Sequence, residues 1–91
     1  MKVMQVSRMK QDLNPDQLQA FSAELDRFYT APPSDLTVEA DYVTVDQSRS
    51  FTLLDVASME RLGEINEPFA PYVEYEAFEV RPASEKETTT S

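Results

Sequence analysis

Apolar and polar positions alternate along the chain in a pattern that predicts the element order strand, helix, strand, strand, helix, strand. Residues 3–9 carry apolar side chains on both sides of the alternation, which is typical of a central strand covered on both faces. Residues 37–45 and 50–56 are rich in β-branched and aromatic residues, and the polar segment between them predicts an antiparallel hairpin. Residues 73–81 are predicted to form the last strand.

The first helix has the clearer signals. Asn14 can accept hydrogen bonds from the free N–H groups at the start of a helix, and Pro15 suits the first helical position. One apolar stripe at helical spacing follows, formed by Leu18, Phe21, Leu25 and Phe28. We expect the helix to end near Tyr29, because Pro32 and Pro33 cannot continue it.

The second helix is predicted to be shorter. Ser58 can cap it, and Gly63 weakens it by up to about 1 kcal/mol relative to alanine. Its inward stripe is predicted to consist of Leu62, Ile65 and Phe69. The element order then predicts an α+β sandwich with both helices on one face of the sheet, so that the opposite face needs a cover. A second copy of the chain is the expected cover.

Strict alternation also assigns side chains to the two sides of each strand. It places Val38, Ala40, Tyr42 and Thr44 on one side of residues 37–45. It does not decide which side of any strand faces the helices. From residue 83 onward, alanine is the largest aliphatic side chain and there are no aromatic ones. Residues 83–91 therefore cannot contribute to a core and are predicted to be a disordered tail.

The element order is that of the split βαβ, or ferredoxin-like, fold. At this length the chain resembles the dimeric α/β-barrel superfamily, in which two four-stranded sheets meet face to face, and in particular its DUF3303-like domains. The similarity spans about residues 1–82. The matching segments are residues 4–10, Phe51-Thr52-Leu53-Leu54-Asp55 and Phe78-Glu79-Val80-Arg81-Pro82. The resemblance implies a ferredoxin-like βαββαβ domain with a four-stranded antiparallel sheet, assembled as a homodimeric barrel.

Size and residue types also favour an oligomer. A single core in a chain of 91 residues rarely supplies more than about 3–5 kcal/mol of net stability. The chain contains no cysteine and no histidine, so neither a disulfide nor a zinc site can add to that stability. Burial of apolar surface between subunits is the remaining route.

The charge balance argues against two classes of partner. The formal net charge is −9, from 17 acidic and 8 basic residues, and no three consecutive residues are basic. Nucleic-acid binding requires a basic surface that displaces counterions from phosphates, so neither a nucleic acid nor an anionic membrane is an expected partner. The N-terminus has no apolar run of signal-peptide length, and a cytoplasmic location is expected.

Several kinds of chemistry lack the residues they require. Without histidine, the usual haem ligand and the commonest general base are missing, which disfavours the haem-dependent branch of the superfamily. No spaced acidic loop resembles a calcium site, so no metal and no other cofactor is expected. No serine lies in a Gly-x-Ser-x-Gly segment, and a single glycine cannot build a phosphate-binding loop.

Proton transfer by a carboxylate remains open. Asp55 ends an apolar strand, and a carboxyl group buried beside aromatic residues can act as a base or an acid. The alternative is that Asp55 only terminates the strand or caps the next helix. Arg8, late in the first strand, could stabilise an anionic oxygen of a ligand, or it could form a structural ion pair with Asp55, Glu74 or Glu76.

Tyr42 and Tyr75 lie in predicted strands and could line a pocket with apolar bodies and hydrogen-bonding tips, although packing in the core explains them equally. We therefore expect a homodimeric barrel whose lumen, between the two sheets, binds a small, largely apolar ligand. If it is an enzyme, the superfamily implies a cofactor-free isomerase, cyclase or monooxygenase. The rival expectations are a non-catalytic structural or interaction module, and an acidic protein that binds a partner through its charged surface.

Overall fold

The computed structural model describes residues 1–84 and has the element order expected from the sequence. The predicted tail, residues 83–91, lies outside the described residues except for its first two, which are exposed. The elements are β1 (Lys2–Met9), α1 (Pro15–Thr30), β2 (Leu36–Val43), β3 (Ser50–Val56), α2 (Met59–Asn66), a 3₁₀ turn (Glu67–Phe69) and β4 (Val73–Glu79). Neither helix is long and apolar enough, within this part of the chain, to cross a membrane.

The four strands form one antiparallel sheet in the order β2-β3-β1-β4. This is a ferredoxin-like α+β fold, as the sequence predicted. Both helices lie on the same face of the sheet, which we call the helix-side face. The side chains of Val3, Gln5, Ser7 and Met9 in β1 point toward it, and β3 contributes Ser50, Thr52, Leu54 and Val56.

Helix α1 begins with the capping box that the sequence indicated. The Gln17 backbone N–H donates to Asn14 Oδ1 at 2.8 Å, and the Asn14 backbone N–H donates to Gln17 Oε1 at 2.9 Å. Helix α2 starts similarly, because the Arg61 backbone N–H donates to Ser58 Oγ at 3.0 Å. These caps satisfy donors that would otherwise have no partner within the helix.

The core occupies one end of the sandwich. Val3, Leu54 and Val56 from the sheet meet Leu62 and Ile65 from α2, and all five are buried. The predicted inward stripe of α2 is therefore confirmed for its two aliphatic members. Phe28, near the end of α1, is partly buried against this cluster, whereas the rest of α1 stands over the other end of the sheet.

A β-bulge corrects one sequence expectation. The pairing of β2 with β3 shifts between Val38 and Ala40, so that Glu39 is the extra residue. Val38 therefore pairs with Leu54 on the helix-side face, while Tyr42 pairs with Phe51 on the opposite, open face. The prediction that Val38 and Tyr42 share a side was wrong, because one inserted residue reverses the alternation.

The second strand also ends earlier than predicted. The Thr44 hydroxyl oxygen accepts hydrogen bonds from the backbone N–H groups of Ser48, at 3.0 Å, and Arg49, at 3.1 Å. Its hydroxyl donates to Asp46 Oδ1 at 2.7 Å. This network closes the hairpin turn and takes Thr44 and Val45 out of the strand.

Candidate ligand-binding site

A cavity of about 460 Å³ separates α1 from the sheet. It begins where the core ends, at Leu54, Leu62 and Ile65, and extends toward the hairpin turn between β2 and β3. The sheet forms its floor, α1 its roof, and the end of α2 with the 3₁₀ turn one of its walls. The sequence predicted a ligand in the lumen between two sheets, on the opposite face, and did not predict this space beneath α1.

The centre of the floor is polar, and apolar side chains of the outer strands flank it, among them Val38, Val43 and Val73. Gln5 and Ser7 of β1 line the centre together with Ser50 and Thr52 of β3. The strand register places Gln5 beside Thr52 and Ser7 beside Ser50, so the four side chains form two adjacent rows in the centre of the sheet. Large apolar residues normally cover a sheet beneath a helix. Short hydroxyl side chains there leave space that α1 does not fill.

The roof is apolar and largely aromatic. Phe21, Leu25 and Phe28 of α1 line the cavity, and each of them is only half-buried. The Phe21 and Phe69 ring centroids lie 6.3 Å apart with the rings nearly perpendicular, and those of Phe28 and Phe69 lie 5.9 Å apart. Edge-to-face contacts of this kind hold the rings as one cluster above the floor.

The deepest polar group is an amide pair between the sheet and α2. Asn66 Nδ2 donates to Gln5 Oε1 at 2.8 Å, and Gln5 Nε2 donates to Asn66 Oδ1 at 3.4 Å. Asn66 is only 7% exposed and is the single buried polar residue of the part of the chain that the structure describes. Both residues border the cavity, so this pair places a neutral hydrogen-bonding surface at its inner end.

The cavity edge at β2 carries a tyrosine and a carboxylate. Asp41 Oδ1 accepts a hydrogen bond from Thr52 Oγ1 at 3.0 Å, which extends the polar row of Gln5 and Thr52 to the edge strand. Tyr29 of α1 lies close to Asp41. Partial burial of the Tyr29 ring and the negative charge of Asp41 raise the pKa of the Tyr29 hydroxyl. At neutral pH this hydroxyl is therefore protonated and can donate a hydrogen bond.

The sequence indicated four candidate site residues: Asp55, Arg8, Tyr42 and Tyr75. Tyr75 lines the cavity, and Arg8 borders it at the end of β1. The Arg8 side chain is 58% exposed in the single chain and forms an ion pair with Glu74 at 3.6 Å. This is one of the three structural partners that the sequence allowed. The exposure follows from its position, because Arg8 and Glu74 are paired near the end of the sheet on the open face.

Asp55 and Tyr42 lie elsewhere. Asp55 is paired with Lys2 on the open face, is 53% exposed and accepts a hydrogen bond from the N-terminal amine at 3.3 Å. Along β1, Lys2 and Arg8 are six residues apart, which corresponds to about 20 Å. Within one chain, Asp55 and Arg8 therefore lie near opposite ends of the open face. Tyr42 is on the open face, opposite to Tyr75, and is 69% exposed.

The acidic residues of β4 do not assemble a metal site. Glu74 and Glu76 point to the open face, whereas Glu79 points to the helix-side face. Among residues 1–84, no three potential metal-ligating side chains of the histidine, cysteine or acidic types come together.

Sequence reasoning missed the polar floor, the amide pair and the edge carboxylate Asp41. A signal was present in the alternation of the two central strands. In β1, Gln5 and Ser7 interrupt an otherwise apolar side, and in β3, Ser50 and Thr52 precede the apolar residues of one side. Joining these two polar segments requires the register of β1 against β3, which the sequence alone did not supply.

Comparison with known proteins does not add a function. The chain matches no model of a known protein family, and a search of curated proteins also found no match. The resemblance to the dimeric α/β-barrel superfamily therefore rests, beyond the fold itself, on the short segments quoted above.

Proposed function

We propose that this protein binds a small, largely apolar molecule in the cavity between α1 and the sheet, and that it does so as a homodimer. The observation that carries the proposal is the contrast between a floor with a polar centre and a largely aromatic roof around about 460 Å³ of space. Ligand pockets typically enclose about 300–1,000 Å³ and combine apolar walls with a few polar groups.

The alternative to a ligand site is an incompletely packed core. Protein interiors are packed as densely as organic crystals and contain few voids larger than a water molecule. An apolar stripe on α1 that is left half-buried loses much of the stabilisation that burial would provide, about 25 cal/mol for each Å². A bound apolar molecule would restore that burial, and the polar floor would orient it.

Support for a homodimer comes from the open face of the sheet. Within a sheet that has one face in water, the water-facing side chains are normally polar. Here the open face carries an apolar patch, made of Met4, Val6, Ala40, Tyr42, Phe51, Leu53, Phe78 and Val80. Phe78 is 51% exposed, so the patch has no cover within the part of the chain that the structure describes.

A second copy of the chain is the cover we propose. Charged pairs flank the patch at both ends: Lys2 with Glu39, where the shortest N–O distance is 2.6 Å, and Arg8 with Glu74. An apolar centre bounded by both signs of charge is self-complementary, which a two-fold symmetric contact requires. In such a dimer two sheets meet face to face, and each subunit keeps its own cavity on the outer side.

A catalytic role could use either of two locations: the cavity beneath α1, or the space between the two sheets of the dimer. Proton transfer on a molecule in the cavity would use the neighbouring groups Tyr29, Asp41 and Tyr75, since they border it. A catalytic role for Asp55 with Arg8, or a ligand contact by Tyr42, would instead involve the space between two sheets. Cofactor-free isomerisation, cyclisation or oxygenation fits either location. A binding protein without turnover needs only the cavity.

Native mass spectrometry of the purified protein tests both parts of the proposal. We expect twice the chain mass of 10.4 kDa, with additional mass where a small molecule is retained. Leu53→Glu places a charge at the centre of the open face and should yield a monomer, whereas Val45→Glu, at a fully exposed position of the hairpin, should remain a dimer. A monomeric wild type would refute the homodimer and favour a different cover for the open face.

A further inference from the structure

We infer that the ligand is a neutral aromatic molecule with a carbonyl or carboxamide group, and that the Gln5–Asn66 amide pair selects it against the corresponding carboxylate. This inference rests on the proposed function, because it assigns the chemistry of the molecule in the same cavity.

The amide pair has hydrogen-bonding capacity left over. A side-chain amide has two N–H donors and a carbonyl oxygen with two lone pairs. The exchange between Gln5 and Asn66 uses one donor and one acceptor position of each residue. The remaining N–H groups and lone pairs belong to side chains that line the cavity, and Asn66 is almost completely buried. Each of the four amide atoms already has one partner, so a ligand that uses the remaining positions adds about 0.5–1.5 kcal/mol for each hydrogen bond.

A group that both donates and accepts is the natural complement of an amide. A carboxamide, a lactam or an enolic carbonyl can exchange hydrogen bonds with the pair in the same way as Gln5 and Asn66 do with each other. The hydroxyl groups of Ser7, Ser50 and Thr52 adjoin the pair on the floor and can also donate or accept.

Charges of both signs border the cavity. Asp41 lies in the same row as Gln5, two strand spacings or about 10 Å away. Arg8 and Arg49 also line the cavity. The selection against a carboxylate therefore comes from the pair itself, because a carboxylate only accepts hydrogen bonds and supplies no donor to the side-chain carbonyl oxygens of Gln5 and Asn66. A carboxylate would also lose part of its hydration on entering the cavity.

The roof favours a flat ring. Phe21, Phe28 and Phe69 form a connected aromatic cluster, and offset or edge-on contacts with a further ring are worth about 0.5–1.5 kcal/mol beyond burial. A ligand with an aromatic body and one neutral polar edge therefore satisfies the roof and the inner end of the cavity at the same time.

Binding of three matched probes tests the inference: 2-naphthamide, which is neutral and has the polar edge, 2-naphthoate, which is anionic, and naphthalene, which has neither. We expect 2-naphthamide to bind at least about tenfold more tightly than either of the others, since each satisfied hydrogen bond contributes about 0.5–1.5 kcal/mol. Isothermal titration calorimetry provides the affinities. In parallel, ¹⁵N-resolved NMR follows the side-chain amide signals of Gln5 and Asn66, which should shift with 2-naphthamide.

The double variant Gln5→Met/Asn66→Leu removes both amides, so neither is left buried without its partner. We expect it to lose about tenfold in affinity for 2-naphthamide while binding naphthalene as the wild type does. Gln19→Met makes the same kind of change at an exposed position of α1 and should leave all affinities unchanged.

The outcomes separate the inference from the proposed function. Equal affinities of the wild type for the amide and the carboxylate, with unshifted Gln5 and Asn66 amide signals, would overturn the inference and leave the cavity as a ligand site. If none of the three probes bound, the proposed function would fail and the inference with it. The NMR measurement uses the wild type alone, so it decides the matter even if the double variant does not fold.

Discussion

Ser7 and Ser50 are directly paired across the two central strands, and both line the cavity beneath α1. A hydroxymethyl group at each position is too short to reach the helix, so the sheet and α1 remain separated there. At the other end of the same strands, Val3 and Leu54 are paired and buried against α2. The difference between these two pairs determines which end of the sandwich is core and which is cavity.

The free energy of unfolding should depend strongly on the core end. Leu62 is 2% exposed and packs with Val3 and Val56, so Leu62→Ala should lower the free energy of unfolding by about 2–5 kcal/mol. Leu18→Ala, the same change at a position of α1 that is 44% exposed, should cost much less. Urea unfolding followed by circular dichroism gives both values, and equal losses would contradict the location of the core.

Gly63 offers a stabilising substitution. It lies inside α2, and a β-carbon built on it would meet no atom within 4 Å. Gly63→Ala should therefore raise the free energy of unfolding by about 0.5–1 kcal/mol, because alanine loses less backbone entropy in a helix. Chemical denaturation measures the change. Destabilisation by this variant would mean that the exposed side of α2 is covered in solution.

The start of α1 is capped by two side-chain acceptors, Asn14 Oδ1 and Gln17 Oε1, and the first can be removed alone. Asn14→Ala removes the acceptor for the Gln17 backbone N–H and should cost about 1 kcal/mol. Asn14→Ser retains a hydroxyl that can cap the helix and should lose at most a few tenths of a kcal/mol. A comparison of the two unfolding curves tests the cap, and identical losses would show that the capping hydrogen bond contributes nothing.

The hairpin turn should be sensitive to acid. Hydrogen bonds from the side chain and backbone of Ser48 and from Thr44 lower the pKa of Asp46 from 3.8 to about 2. A carboxyl group with a lowered pKa in the folded state stabilises the fold above its unfolded pKa, and this contribution is lost as the pH falls from about 4 through 2.

NMR titration of the Asp46 carboxyl carbon should give a midpoint near 2 in the wild type. Ser48→Ala removes the largest cause and should raise the midpoint toward 3.8, whereas Ser34→Ala, in the exposed loop before β2, should not change it. An ordinary midpoint in the wild type would show that the turn is open in solution.

The fold was predictable because its signals are local. The Asn14-Pro15 start, the helical spacing from Leu18 to Phe28 and the polar turn before Ser50 each depend on a few neighbouring residues. The bulge at Glu39 was not predictable, since strict alternation continues through it without a Gly or Pro signal. One extra residue there sends Tyr42 to the open face.

The candidate site was less predictable because it depends on register and on the separation of α1 from the sheet. Gln5 and Asn66 are 61 residues apart in the chain and meet only through the packing of α2 on β1. The search for chemistry in the sequence favoured charged residues such as Asp55 and Arg8, whose roles remain predictions. The structure shows instead that neutral side chains line the inner end of the cavity.

Binding of a neutral apolar dye, Nile red, to the wild type and to Ser7→Leu/Ser50→Leu tests the central claim most directly. The double variant fills the floor with leucine side chains against Phe21 and Leu25, so we expect it to remain folded and to bind no dye in the cavity. The wild type, and the variant Ser22→Leu/Ser34→Leu with the same changes at exposed positions, should each show saturable binding of one dye per chain. Equal dye binding by the wild type and the floor variant would contradict the assignment of this cavity as the ligand site.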